Sequence, residues 1–262
     1  MSDLLNALVL LANFLFIPAL SYGSQLALGA LGVTLVFGIL RFANFAHGDL
    51  MAFGTMFTIL LTWLLQSYGI NFGFLPTALL ALPFAIIITI IFSLLVDRYV
   101  FRFYRLKKSP PVTFAMVSIG VMFITNAIVR IIIGPKDRRF FDGEKFIIKV
   151  KEFKNLTGLN EGLAIKSTQV ITISITIFLV AILFWFLQRT RTGKSMRAFS
   201  DNEDLALLSG INPDRVVLFT WLIVAALATT AGVLYGLDKS FKPFTCFSIF
   251  LPIFAAAIVG GI

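Results

Sequence analysis

Gly38-Ile39-Leu40-Arg41-Phe42-Ala43-Asn44-Phe45-Ala46-His47-Gly48-Asp49-Leu50 places an arginine, an asparagine, a histidine, an aspartate and two glycines between apolar sequence on both sides. Polar and ionisable residues are therefore concentrated where hydrophobic continuity would carry a helix across a bilayer. In hydrocarbon a broken backbone survives only where side chains, neighbouring helices or a water-filled cavity satisfy the freed N–H and C=O groups. Asn44, His47 and Asp49 can make such bonds, and Gly48 permits backbone angles closed to other residues. The stretch reads as a discontinuous helix or re-entrant turn over residues 42–49. Two readings of it stay open. In one it is a tight loop between spans, with Arg41 and Asp49 at the interface. In the other it is part of a translocation path, with Asn44, Phe45, Ala46, His47, Gly48 and Asp49 beside the solute, because ionisable groups inside a membrane are functional candidates by default. A helix end facing a cavity offers N–H or C=O groups to the charged ends of a zwitterion. His47 need not shuttle protons in either case, since holding the break in shape is role enough.

Working outward, hydrophobic residues make up 58% of the 262 positions and charged ones 13%, about half of the roughly 25% usual in a soluble domain. A soluble core cannot absorb that much apolar surface. Apolar runs of about 20 residues, the length that crosses a hydrocarbon core of roughly 30 Å, recur along the chain. The candidate spans are Leu4 to Leu20, Gly23 to Leu40, Leu50 to Gln66, Phe74 to Val96, Val112 to Ile133, Thr168 to Gln188, Arg215 to Leu237 and Phe247 to Ile262. The expected fold is thus an all-α polytopic membrane protein of seven or eight transmembrane helices, forming one domain over residues 1–262. Met1-Ser2-Asp3 supplies no basic n-region, so the first run is read as a retained span and not as a cleaved signal. Pro18, Tyr22 and Gly23 leave almost no loop after it, which makes residues 4–40 either a hairpin or one kinked segment.

The formal charge of +9 sits in the connections, as is ordinary for membrane proteins, and does not call for a nucleic acid partner. Asp97 to Ser109 is short and basic, with Arg98, Arg102, Arg105, Lys107 and Lys108; Gly134 to Lys166 is a longer polar excursion; Arg189 to Asp214 mixes charge with small residues; Asp238 to Cys246 is short. Helix parity puts the first and third on one side and the second and fourth on the other. Short basic loops weigh most in setting orientation, so the side of Asp97 to Ser109 is expected in the cytoplasm. One cysteine, Cys246, and one histidine, His47, allow no internal disulfide, histidine cluster or nucleophile constellation. The chain does not read as an enzyme or as the binder of a cofactor.

A second polar segment, Arg197 to Pro213, reads as a short amphipathic helix, acidic near its start and with Gly210 near its end, which suits the helix dipole and the glycine preference just beyond a helix C-terminus. Leu205, Ala206 and Leu208 are expected to pack while Glu203 and Ser209 stay wet. Such a helix is either a handle for a soluble partner or a plain connector. Gly193-Lys194-Ser195 imitates the end of a phosphate-binding loop, but Gln188 stands in place of the first glycine and no strand precedes it. Small residues at helical spacing, Ala30, Thr34 and Gly38 and again Ala228, Gly232 and Gly236, allow close helix approach within the chain or at a subunit interface.

In these two segments the sequence resembles the permease subunits of branched-chain amino acid ABC importers. The family's hydrophobic stretch and Asn-Phe-Ala-His-Gly-Glu type motif correspond to Gly32 to Gly38 and Asn44 to Asp49, with Asp49 in place of the commoner Glu. Met196-Arg197-Ala198, Leu208 to Asn212, Asp214-Arg215-Val216 and Ala231 to Gly236 match later blocks in the same order. The resemblance implies a subunit of an ATP-driven importer for branched-chain amino acids or similar solutes in a bacterial-type inner membrane. Its partners would be a second related permease, two cytoplasmic ATPase subunits that use the ATP, and an extracytoplasmic solute-binding protein. Arg197, Ala198, Glu203, Asp204, Ala206 and Gly210 then become candidates for ATPase coupling. Against the general pattern Glu-Ala-Ala-x3-Gly, the chain has Asp204-Leu205-Ala206-x3-Gly210 and keeps only the second alanine and the glycine. In the family, sequence like Ala257 to Ile262 is followed by further spans, so the domain is expected to be short at its C-terminus. A secondary transporter or channel working without ATPases is the alternative.

Overall fold

The computed structural model of the chain describes residues 2–70, 73, 75–140, 146–158 and 160–261. In a bilayer a helix satisfies every backbone group from within the segment, and the spans are helical accordingly. They are α1 (Asp3–Leu40), α2 (His47–Ser67), α3 (Ala78–Leu106) and α4 (Pro111–Ile133). A small excursion follows, in which β1 (Phe146–Ile148) pairs antiparallel with β2 (Ile165–Lys166) around α5 (Val150–Thr157). Next come α6 (Ser167–Arg189), the short α7 (Arg191–Asp201) and α8 (Glu203–Leu208), then α9 (Pro213–Asp238) and α10 (Pro243–Val259). Among the described residues, α1, α2, α3, α4, α6 and α9 are long and apolar enough to cross a membrane, while α10 is apolar but shorter.

Of the two readings of residues 4–40, hairpin or one segment, the structure has the single segment, a continuous helix. Pro18 removes a backbone donor, yet a π-helical turn, Ala12–Phe16, lies just before it. The wider turn shifts the hydrogen-bond register next to the residue that cannot donate, so the helix absorbs the proline without breaking. At 1.5 Å per residue α1 is about 57 Å long, roughly twice the hydrocarbon core. Its first half is held by the excursion before α6, where the Glu161 and Ala164 N–H groups donate to the Asn6 and Asn13 side-chain oxygens at 3.3 Å each. With the two spans merged, eight candidate segments become seven. The expected limits at Phe74 and Ile262, and residues 141–145 and 159 of the polar excursion, lie outside the described residues.

Helices α2 and α9 form the buried centre, and small residues set their spacing. Gly54 faces Thr229, and a Cβ on Gly232 would stand 2.8 Å from the Met51 carbonyl oxygen. The stripe Ala228, Gly232 and Gly236 therefore serves packing within the chain. Ala30, Thr34 and Gly38 are only half-buried, and the close approaches of α1 fall instead on the neighbouring row at Gly29 and Gly32. Threonines of α2 are satisfied locally: Thr55, Thr58 and Thr62 each donate to the carbonyl four residues back, at 2.7 to 2.9 Å.

The two ends of the bundle differ. At the basic end Arg105 makes a paired contact with Asp97, 3.0 Å to each carboxylate oxygen, and the Trp221 indole donates to the same carboxylate at 2.8 Å. At the far end Arg138 and Phe241 exchange backbone hydrogen bonds of 2.8 and 2.9 Å, and Lys242 lies 3.7 Å from Asp137. Loops Asp97 to Ser109 and Arg189 to Asp214 thus share one end, and the other two share the opposite end, as helix parity predicts.

Candidate functional site

Helix α1 closes with a second π-helical turn, Val36–Leu40, and Arg41 then adopts the left-handed conformation at φ 60, ψ 27. That region is uncommon for any residue but glycine. The Arg41 N–H still donates to the Phe37 carbonyl at 3.0 Å, which seals the helix end and reverses the chain. Residues 41–46 run back into the bundle, so that His47 lies level with Gly32. Gly32 is eight positions before Leu40, or about 12 Å along the helix. Helix α2 consequently starts well back from the end of α1, alongside that helix and not beyond it. The non-helical stretch is narrower than residues 42–49, because His47, Gly48 and Asp49 already form the first turn of α2.

The freed backbone groups find partners. Phe45 donates to the Ser118 hydroxyl at 3.0 Å, and that hydroxyl donates to the Ala115 carbonyl at 2.7 Å, so α4 supports the break directly. The Asn44 side-chain oxygen accepts the Ala46 N–H at 3.1 Å, a local turn that short amide side chains favour. The Asn44 and Ala46 carbonyls accept from His47 and Leu50 at 3.3 and 2.9 Å. Phe42 is anchored between Phe101 of α3 and Phe114 of α4, at centroid distances of 5.2 and 5.0 Å.

His47 is fully buried, and its ring occupies the place where Gly32 has no side chain; a Cβ on Gly32 would be 2.6 Å from Cε1. Among the described residues neither imidazole nitrogen has a well-aligned hydrogen bond, its polar neighbour being the Gly29 backbone. The geometry gives the ring the job of a spacer. Gly48 does the same for α10, since a Cβ there would approach the Cys246 carbonyl to 2.9 Å. Asp49 accepts a 2.7 Å hydrogen bond from Asn126 of α4, and Arg130, one turn further along, adds a favourable charge. All six residues of the motif are thus brought together. Asn44 and Ala46 face a small cavity, which Phe101, Val121, Thr125 and Trp221 also line. It has room for about one water molecule, far less than an amino acid needs.

At the basic end the expected single helix over residues 197–213 is two. Helix α7 packs onto α6 through Gly193, where a Cβ would come 2.6 Å from the Leu187 Cα, and its Met196 and Phe199 are buried. Gly193-Lys194-Ser195 is simply its first turn, with the Gly193 N–H capped by Thr190 at 3.0 Å. Arg197 and Ala198 are exposed. Asn202 leaves helical geometry and caps α8, accepting the Leu205 N–H at 3.0 Å. Gly210 closes α8 at φ +80, and Ile211 donates back to the Ala206 carbonyl at 3.1 Å. Glu203 and Asp204 are exposed in the first turn. Leu205 and Leu208, expected to pack, are 60% and 85% exposed, while Ala206 alone is buried. With fewer than two turns between the Asn202 and Gly210 reversals, α8 can press only one position against the bundle.

Four contributing residues escape the sequence motifs. Ser118 and Asn126 sit in a largely apolar span beside Thr113, Thr125 and Arg130, where nothing in the sequence sets them apart from the other polar residues. Arg41 and Ser200 join the two candidate regions. The Arg41 guanidinium donates to the Ser200 carbonyl and, at 3.5 Å, to that of Asp201, while the Ser200 hydroxyl donates to the Gly38 carbonyl at 2.7 Å.

Residues 15–262 match the family described as branched-chain amino acid transport system, permease component. The chain is 31% identical over 247 residues to the high-affinity branched-chain amino acid transport system permease protein LivH of Escherichia coli K12, covering 92% of this chain and 76% of that one. To the corresponding permease protein BraD of Pseudomonas aeruginosa it is 29% identical over 251 residues, covering 94% and 78%. To a probable LivH permease protein of Methanocaldococcus jannaschii it is 30% identical over 252 residues, covering 93% and 72%. No solved structure matches the chain.

Proposed function

This chain belongs to the family of branched-chain amino acid transport system permease components, and from that premise we propose that it is the membrane-spanning subunit of an ATP-driven importer for branched-chain amino acids or similar small solutes. The observation that carries the reading is that one family match runs unbroken through a multi-pass bundle and includes both the re-entrant break and the α7–α8 segment. The chain spans the bilayer and catalyses no reaction itself. A second permease completes the path, two ATPase subunits bind and hydrolyse the ATP, and a solute-binding protein delivers the solute. The membrane is the bacterial inner membrane, with the basic end in the cytoplasm. Exposed Leu205 and Leu208 beside Glu203 and Asp204 support α8 as the part that enters an ATPase cleft, with Arg197, Ala198, Ala206 and Gly210 shaping its seat.

The path runs beside Asn44 to Asp49. Asn44 and Ala46 line it, and His47, Gly48 and Asp49 hold its wall. In the present conformation the cavity beneath them is closed, so passage requires α3, α4 and α9 to part. A leucine side chain gains only about 1.5–3 kcal/mol on burial, which suits a site that must release its solute, and tight capture falls to the binding protein. Proteoliposomes holding this chain with its permease, ATPase and binding-protein partners should accumulate labelled leucine or isoleucine only when ATP is enclosed with the ATPases. Uptake of the same size by vesicles containing this chain alone would overturn the importer reading in favour of a secondary transporter or channel.

A further inference from the structure

The re-entrant break and the proposed ATPase-docking segment are far apart in sequence, yet α7 ends against the last turn of α1. The contact is made of three bonds. The Arg41 side chain reaches the Ser200 and Asp201 carbonyls, which are the unsatisfied acceptors at the C-terminal end of α7. A positive charge is favoured at that end of a helix. The Ser200 hydroxyl returns a bond to the Gly38 carbonyl in the π-helical turn of α1. Arg41 is also the left-handed residue from which the chain turns back towards His47, so its backbone sets the direction of residues 42–46 while its side chain holds α7. We propose that Arg41 is the positioning residue of a latch that transmits displacement of α7 and α8 into the re-entrant segment and hence to the start of α2. This inference rests on the reading of α8 as the ATPase-docking element.

The surroundings favour transmission over simple anchoring. On one side of the latch, buried Met196 and Phe199 and the close approach at Gly193 bind α7 to the bundle as a stiff piece. On the other, Phe42 wedges between Phe101 and Phe114, the next residue along from Arg41. Phe101 in turn stacks on Trp221 of α9 at 5.6 Å. A shift of α7 beyond the slack of the Arg41 side chain pulls on the Arg41 backbone, and with it on Phe42 between α3 and α4. Those helices are the ones that wall the closed cavity under Asn44 and Ala46.

The test uses the whole importer in proteoliposomes and reads uptake per ATP hydrolysed. Arg41→Ala should leave the ATPases copurifying and hydrolysing while uptake per ATP falls at least tenfold. Arg41→Lys, which keeps the charge but not the planar guanidinium whose Nη2 serves both carbonyls, should fall between it and the natural protein, and serves if the alanine variant accumulates poorly. The decisive variant adds Gly38→Cys and Ser200→Cys to Arg41→Ala. A Cβ on Gly38 would stand 3.7 Å from the Ser200 oxygen, which makes the pair neighbours to be cross-linked, and the native Cys246 is buried. Oxidation should restore uptake per ATP at least fivefold, and reduction should abolish the gain. Unchanged coupling in Arg41→Ala, or an oxidised tie that restores nothing, overturns the latch. Leu208→Glu separates the premise: ATPase copurification at full yield in that variant overturns the docking reading, and the latch with it.

Discussion

Residues 41–46 and residues 202–212 both interrupt helices, but they are completed in opposite ways. In the first, backbone groups of Arg41, Phe45, Ala46, His47 and Leu50 meet acceptors within the bundle, an aromatic residue is wedged on one side, and two glycines let neighbouring helices close over the rest. In the second, Asn202, Gly210 and Asn212 satisfy the helix ends just as well, yet Leu205 and Leu208 stay largely exposed. A break inside hydrocarbon has to be finished by the chain itself, since no water is there to do it. A break in water can leave its apolar face for another protein. The difference teaches that substitutions in the first region should register as stability, and those in the second as loss of a partner.

The contrast is tested most severely by Gly32→Val. The new side chain would collide with the fully buried His47 ring at the start of α2, and overpacking of this kind costs up to about 3 kcal/mol. A clear fall in the thermal midpoint of the purified permease is expected. Combining it with His47→Ala should recover much of the loss, because the two residues share one space and their effects will not add. Equal midpoints for Gly32→Val and the natural protein would show that His47 is not the spacer the geometry makes it.

Next comes Asn126→Leu. It removes the donor from the Asp49 carboxylate, whose second oxygen has no partner among the described residues. A hydrogen bond to a charged group is worth roughly 1.5–3 kcal/mol, so a loss near 2 kcal/mol is expected, with Asp49→Asn in the same background relieving part of it. Thermal unfolding of the single and double variants in detergent measures both. Absence of any relief would mean that Asp49 is stabilised from elsewhere, and α4 would support the break through Ser118 and not through Asn126.

Much of this architecture is legible in the sequence, and the failures share a cause. The break is visible because Asn44, His47 and Asp49 cannot be tolerated in a continuous span without a reason, and the parity of the loops follows from counting spans. The sequence leaves residues 4–40 open between a hairpin and one kinked segment, because Pro18 reads as a stop unless the π-helical turn before it is known. Arg41 is hidden for a similar reason: its left-handed backbone is a conformation that sequence assigns to glycine, and its partner at Ser200 is 159 positions away. Ser118 and Asn126 look like the other polar residues of their span until α4 is laid beside the break. Leu205 and Leu208 mislead in the other direction. Their spacing is that of an inward face, and only the tight reversals at Asn202 and Gly210 turn that face outward.

The smallest effect on stability, and the sharpest test of the comparison, belongs to Leu208→Glu. The side chain is 85% exposed, so its replacement should change unfolding by no more than about 0.5 kcal/mol. Burying a leucine in a partner's cleft contributes about 1.5–3 kcal/mol, which corresponds to roughly a tenfold or greater loss of ATPase retention, since each 1.4 kcal/mol is a factor of ten. Unfolding curves and ATPase copurification from one preparation read both quantities together. If instead Leu208→Glu lowers the midpoint as much as Asn126→Leu does, the leucine is serving this chain's own fold, and the two interruptions differ only in depth.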